Sequence, residues 1–151
     1  MTEITNKLEQ LLKSGLENIS RSSEQEMNRK SSPEKWSKKE ILGHLIDSGI
    51  NNLQRFTEIQ FEDKPYKIRK YKQNELVKAN DYQNAESKEI VDFWLSINNR
   101  ILNLIKQQPE INLNHKIELD KNNISDFRFL IEDYVDHLEH HLNQISRTKI
   151  N

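Results

Sequence analysis

The chain has 151 residues, 34% of them hydrophobic, with a mean hydropathy of -0.92, a length that fits one domain over residues 1–151 able to bury roughly two-thirds of its unfolded surface. Its 23 basic and 24 acidic residues nearly cancel to a formal charge of -1 without forming a basic patch, which excludes nucleic acid as the expected partner, and the absence of cysteine excludes disulfides, thiolate metal sites and a cysteine nucleophile. No stretch has the length of a membrane span, and MTEITNKLEQLLKSG lacks the apolar core of a signal peptide, so the expectation is a soluble, cytoplasmic protein with no membrane partner.

In chain order, Ile4, Leu8, Leu11, Leu12 and Ile19 recur at helical spacing and predict a first helix over residues 2–20. The polar stretch RSSEQEMNRKSSPEK reads as a linker. Ser37 then caps a second helix, with Glu40 three residues on completing a capping box, and Ile41, Leu42, Leu45, Ile46, Leu53 and Phe56 form one apolar face to about residue 61. Residues 62–85, with Pro65 and three tyrosines, are a connection long enough to suggest a function or a packing role. A third helix runs from about Ser87 to Gln107, with Asn98 inside its apolar stripe and expected to be hydrogen-bonded across the core. INLNHKIEL alternates with period two and predicts a short strand ahead of the turn-like DKNN. Ser125 or Asp126 caps the last helix, whose core face carries Phe127, Leu130, Ile131, Tyr134, Leu138, Leu142 and Ile145. The pattern predicts an all-α four-helix bundle with long connections and one short strand before the last helix.

Three of the five histidines fall within DYVDHLEHHLNQI in the last helix. At about 100° per residue, His137 and His141 lie roughly 40° apart on successive turns, a pair able to chelate one ion. His140 points away from the apolar stripe and is expected in solvent. His44 lies on a polar strip of the second helix with Ser48, Asn51, Asn52 and Arg55; that helix alone predicts a solvated surface. Histidines at the core edge of two helices nevertheless allow three imidazoles to meet, leaving positions on a zinc or nickel ion open to water or substrate. His115 has no partner at chelating spacing. The segment HLEHH excludes the two common zinc-protease orders, because Leu138 and His140 stand where each would need glutamate.

WSKKEILGHLIDSGINNLQRF (residues 36–56) and DHLEHHLNQI (136–145), in this order and at this separation, resemble the DinB superfamily, whose bacterial members include YfiT-like metal-dependent hydrolases and bacillithiol transferases. The resemblance spans nearly the whole chain. It implies an up-down-down-up four-helix bundle and a divalent ion, commonly nickel or zinc, held at positions that match His44, His137 and His141. Many members also form homodimers through helix faces, which this sequence neither supports nor denies.

Two reactions are implied by the resemblance: activation of a low-molecular-weight thiol for S-transfer to an electrophile in detoxification or stress response, and hydrolysis with bound water. A non-catalytic metal-binding or stress-response role on the same fold is the third reading, since function belongs to the site and not to the scaffold. In all of these the partner is a small molecule. Asn52, Arg55 and Tyr134 are the expected substrate contacts, Arg55 for an anionic group, each with an ordinary interhelical hydrogen bond as its alternative. Asp133, one turn before His137, is the expected acceptor for an imidazole N–H, with a solvated surface as its alternative. Asp47 is expected to make a structural hydrogen bond. Tyr66, Tyr71 and Tyr82 make the 62–85 connection a candidate lid.

Overall fold

The computed structural model describes residues 1–147. Four long helices make the bundle: α1 (Thr2–Ser20), α3 (Lys38–Glu58), α5 (Ser87–Lys106) and α6 (Phe127–Arg147). Two short helices, α2 (Glu24–Asn28) and α4 (Gln73–Ala79), lie in the first two connections. A three-stranded sheet joins β1 (Tyr66–Lys67), β2 (Lys116–Asp120) and β3 (Asn123–Asp126), with β1 parallel and β3 antiparallel to the central β2.

The direction of each helix follows from its contacts. Lys7 pairs with Asp136 and Glu139, and Asn18 donates to Ser146, so α1 and α6 run parallel. Lys106 pairs with Glu9, while Gly15 approaches Trp94, so α1 and α5 are antiparallel. The Ser37 hydroxyl donates to Gln83 just ahead of α5, and Gly49 meets Ile97 further along, so α3 and α5 are parallel. His44 meets His137, and Phe56 meets Phe127, so α3 and α6 are antiparallel. These relations make the expected up-down-down-up bundle. Trp94, Phe56 and Phe127 are the largest fully buried side chains of its core.

The helix starts show why these boundaries fall where they do. Ser37 accepts from the Glu40 amide while the Glu40 carboxylate accepts from the Ser37 amide, the reciprocal cap expected from the sequence. Asp126, not Ser125, caps α6 by accepting from the Phe129 amide. The stretch expected to be a plain linker contains α2, opened by an identical box between Ser23 and Glu26. Lys39 fixes it to α3: its buried ammonium donates to Glu24 at 2.6 Å and Asn28 at 3.1 Å. The expected strand over residues 111–119 is shorter and later. Glu110–Asn114 form a 3-10 turn, closed by bonds from the Asn112 amide to Pro109 and from the His115 amide to Asn112. The alternation there buries Leu113 but leaves Ile111 74% exposed, so it does not mark a strand face. No helix among the described residues is long and apolar enough to cross a membrane.

Candidate metal centre

The polar strip of α3 faces inward. His44 is fully buried, with Ser48 and Asn52 also in the interior, which corrects the solvated surface expected from that helix alone. A helical wheel shows only a helix's own face. Here α6 and Trp36 cover that face from outside, Trp36 stacking its indole 4.9 Å from the His44 ring. The antiparallel crossing of α3 and α6 sets His44 against the i, i+4 pair His137 and His141, with ring centroids 5.0 and 4.6 Å away. One nitrogen from each of the three imidazoles lies within 4.8 Å of the others, and among the described residues no other group of His, Cys, Asp or Glu is so placed. His140 stays outside this group, exposed, with its ring 5.0 Å from that of His141. His115 is also outside it and half-buried; its backbone carbonyl accepts from the Phe127 amide.

The Nε2 atoms of His44 and His137 are 3.0 Å apart, within hydrogen-bond distance, the donor and acceptor being set by the tautomer. His141 directs Nδ1 to the side-chain oxygen of Gln144 at 2.8 Å, leaving its Nε2 for the interior. Among the described residues His44 Nδ1 is buried without a hydrogen-bond partner, so on that side the ring is held by packing against Trp36. Burial, reinforced by the neighbouring imidazoles, lowers the pKa of His44 to about 3 and that of His137 to about 4. Burial also lowers that of His141, against the opposing bond to Gln144. The three rings are therefore neutral near pH 7, with lone pairs available. Three neutral nitrogens with no carboxylate are a donor set that suits zinc or nickel and leaves coordination positions open. The side chains fit a divalent ion.

The other expected site residues have hydrogen-bond or electrostatic partners elsewhere in the fold. Asn52 donates to the Ser48 carbonyl at 2.9 Å and accepts from Arg55 at 3.3 Å. Arg55, about 16 Å along α3 from His44 at 1.5 Å per residue, donates to the Arg69 carbonyl at 2.6 Å and lies 5.4 Å over the Tyr71 ring. The Tyr134 hydroxyl donates to Asn98 at 2.6 Å inside the core, where Asn98 itself donates to the Trp94 carbonyl. Asp133 is exposed and favours the charged form of the Arg55 guanidinium; no bond from it to an imidazole is present among the described residues. Asp47 makes the structural hydrogen bonds expected of it, accepting from Tyr82 at 2.6 Å and Asn80 at 3.1 Å.

Of the three tyrosines in the 62–85 connection, Tyr82 is packed against α3 at Gly43, Tyr66 donates to Glu58, and Tyr71 lies by Arg55. Two residues that the sequence reading gave no role stand beside the histidines instead: Trp36 and Gln144. Gln144 has a local signal, three residues after His141 on the same helix face; Trp36 precedes its helix, so helical spacing does not reach it, and its one signal is that it opens the segment 36–56 that carries the family resemblance. Both also line a cleft of about 630 Å³ with Lys35, Ile41, Asn74 and Arg147.

A model of the DinB superfamily matches residues 5–145. This chain belongs to the DinB superfamily. Among solved structures, YfiT from Bacillus subtilis, described as a probable metal-dependent hydrolase with an unusual four-helix bundle topology, is similar with a TM-score of 0.83 and 19% identity, over 97% of this chain and 85% of that one. A mycothiol-dependent maleylpyruvate isomerase is similar with a TM-score of 0.75 and 12% identity, over 97% of this chain and 61% of the isomerase. A variant of that isomerase gives 0.76 and 10%, over 95% and 60%. This DinB-superfamily chain thus spans about three-fifths of the isomerase, and at these identities the likeness is one of fold. No curated protein matches the chain.

Proposed function

We propose that this chain is a divalent-metal-dependent enzyme in which His44, His137 and His141 hold zinc or nickel and a low-molecular-weight thiol is activated for transfer to a small electrophile. The observation that carries this reading is the convergence of three imidazole nitrogens within 4.8 Å from two helices. A divalent ion bound there supplies the positive charge that lowers the pKa of a coordinating thiol or water. The chain's own residues do the rest. Burial keeps His44 and His137 neutral as donors, Gln144 holds the His141 ring by its Nδ1, and Trp36 blocks solvent from the outer side of His44. No protein nucleophile is needed, consistent with a chain that has no cysteine. The polar groups of Asn52, Arg55 and Tyr134 are engaged within the fold, so we assign them to supporting the bundle and assign substrate recognition to the cleft beside Trp36 and Gln144.

Hydrolysis with bound water is the second reading, favoured by the likeness to YfiT over nearly all of this chain. Elemental analysis of tag-free protein tests the common basis of both. Near-stoichiometric zinc or nickel, lost in His44→Ala, His137→Ala and His141→Ala but kept in His140→Ala, is the expected result. Metal-free protein after incubation with either ion would sink both reactions and leave a non-catalytic bundle. With metal present, ion-dependent consumption of thiol with 1-chloro-2,4-dinitrobenzene supports transfer, and ion-dependent hydrolysis of nitrophenyl esters without thiol supports the second reading.

A further inference from the structure

The cleft beside the histidines has a chemistry of its own. Its wall carries two cations, Lys35 and Arg147, and one acid, Glu34. Among the described residues, neither Lys35 nor Arg147 takes part in an ion pair. Glu34 is also part of a second cleft of about 440 Å³, which shares Trp36 and Asn74 with the first and holds Lys30 and Lys78 together with Glu40 and Asp81. The first cleft by itself carries two cations against one acid. Its apolar surface comes from Trp36, which is half-buried, and the buried Ile41. A volume of about 630 Å³ suits an organic molecule of modest size, lined in the usual way by an aromatic surface and a few charged groups.

Position links the cleft to the triad at two points. Trp36 contacts His44 from α3, and Gln144 contacts His141 from α6. None of the three histidines lines the cleft itself; Trp36 and Gln144 are the side chains shared between its wall and the triad's surroundings. We propose that this cleft binds the non-reacting part of the substrate, and that this part is an organic anion: a carboxylate held by Lys35 and Arg147, attached to a flat or apolar body lying against Trp36 and Ile41. The assignment rests on the triad being the reaction centre; the binding itself does not require the ion.

That independence sets the experiment. Chelator-treated, metal-free protein is titrated with 1-naphthoate, and with 1-naphthalenemethanol as the neutral counterpart, by calorimetry and by NMR of the tryptophan indole N–H signals. Trp36 and Trp94 are the chain's two tryptophans; Trp94 is wholly buried, and Trp36→Phe assigns the pair. The expected result is saturable naphthoate binding that shifts the Trp36 signal, leaves Trp94 in place, and is about tenfold tighter than that of the alcohol, the scale of a charge-assisted hydrogen bond. Lys35→Gln and Arg147→Gln should each weaken it by about the same factor; both residues are exposed, so the fold should survive. Equal affinity for the alcohol, unchanged binding in both variants, or binding only after zinc is restored would each overturn the proposal. A protein that binds naphthoate in this way yet takes up no metal would overturn the metal-enzyme reading, and with it the cleft's place in a reaction, while leaving its binding of an organic anion standing.

Discussion

The Nε2 atoms of His44 and His137 stand 3.0 Å apart although 93 positions separate them in the chain. Only the antiparallel crossing of α3 and α6 joins them, so the cluster depends on tertiary packing. Several measurable consequences follow from how it is held.

The first concerns pH. His44 and His137 titrate at about 3 and about 4 in the fold, against 6.5 ordinarily. Between those values and 6.5 the unfolded chain binds protons that the native one does not, so native stability falls as pH drops from 6.5 towards 4 and is recovered above 6.5. Urea midpoints of metal-free protein at pH 7.5, 6 and 5 should decline in that order. His137→Gln should flatten the decline; an identical slope in the variant would show that this imidazole does not contribute.

Gln144 tests whether orientation of His141 matters. Replacing it with leucine removes the acceptor at Nδ1 while changing an exposed position. Loss of such a supporting bond weakens metal binding by about 10- to 100-fold. Competition with a zinc chelator reads this directly, and the thermal midpoint should stay near that of the parent. Unchanged zinc affinity would remove Gln144 from the account of the site.

Tyr134 and Asn98 form a buried polar pair. Tyr134→Phe leaves the fully buried Asn98 oxygen without its donor, at a cost of about 1–3 kcal/mol. Tyr134→Phe combined with Asn98→Leu should recover part of that loss, as urea denaturation would show. If Tyr134→Phe leaves stability intact but abolishes turnover, the hydroxyl acts on substrate and the structural assignment is wrong.

Gly43 is needed for close approach. A Cβ built there would overlap the ring of Tyr82, whose hydroxyl is bonded to Asp47. Gly43→Ala should therefore destabilise the protein by about 1–3 kcal/mol through overpacking, read as a lower thermal midpoint. Adding Tyr82→Ala should restore room and make the two changes non-additive.

How much of this was legible in the sequence varied with how local each signal is. The Ser37–Glu40 box predicted the start of α3 because both partners lie within one turn. The box at Ser23 and Glu26 has equal form, yet α2 is only five residues long and nearly all polar, so no periodic stripe supported it. β1 has two residues and gains its partner Ile117 from far along the chain, which no local pattern encodes. In the site, the i, i+4 spacing of His137 and His141 was readable on one helix. The burial of His44 was not, because the groups that cover it belong to α6 and to Trp36 ahead of the helix.

The parallel run of α3 and α5 carries a last consequence, for chain engineering. A chain leaving the end of α3 must return to its starting end before α5 can begin. For a helix of 21 residues that is about 31 Å, which fully extended backbone covers in about nine or ten residues. The segment 59–86 is thus a tether with a fixed minimum span and some slack, and the slack is wound into α4 and the 3-10 turn Tyr82–Asn84. Deletions that draw only on that slack can keep the bundle's connectivity; those that cut below the span are incompatible with α5 running parallel to α3. A safe shortening also has to spare Tyr82, because the tether is moored to α3 through its ring at Gly43 and its hydroxyl at Asp47, directly beside His44.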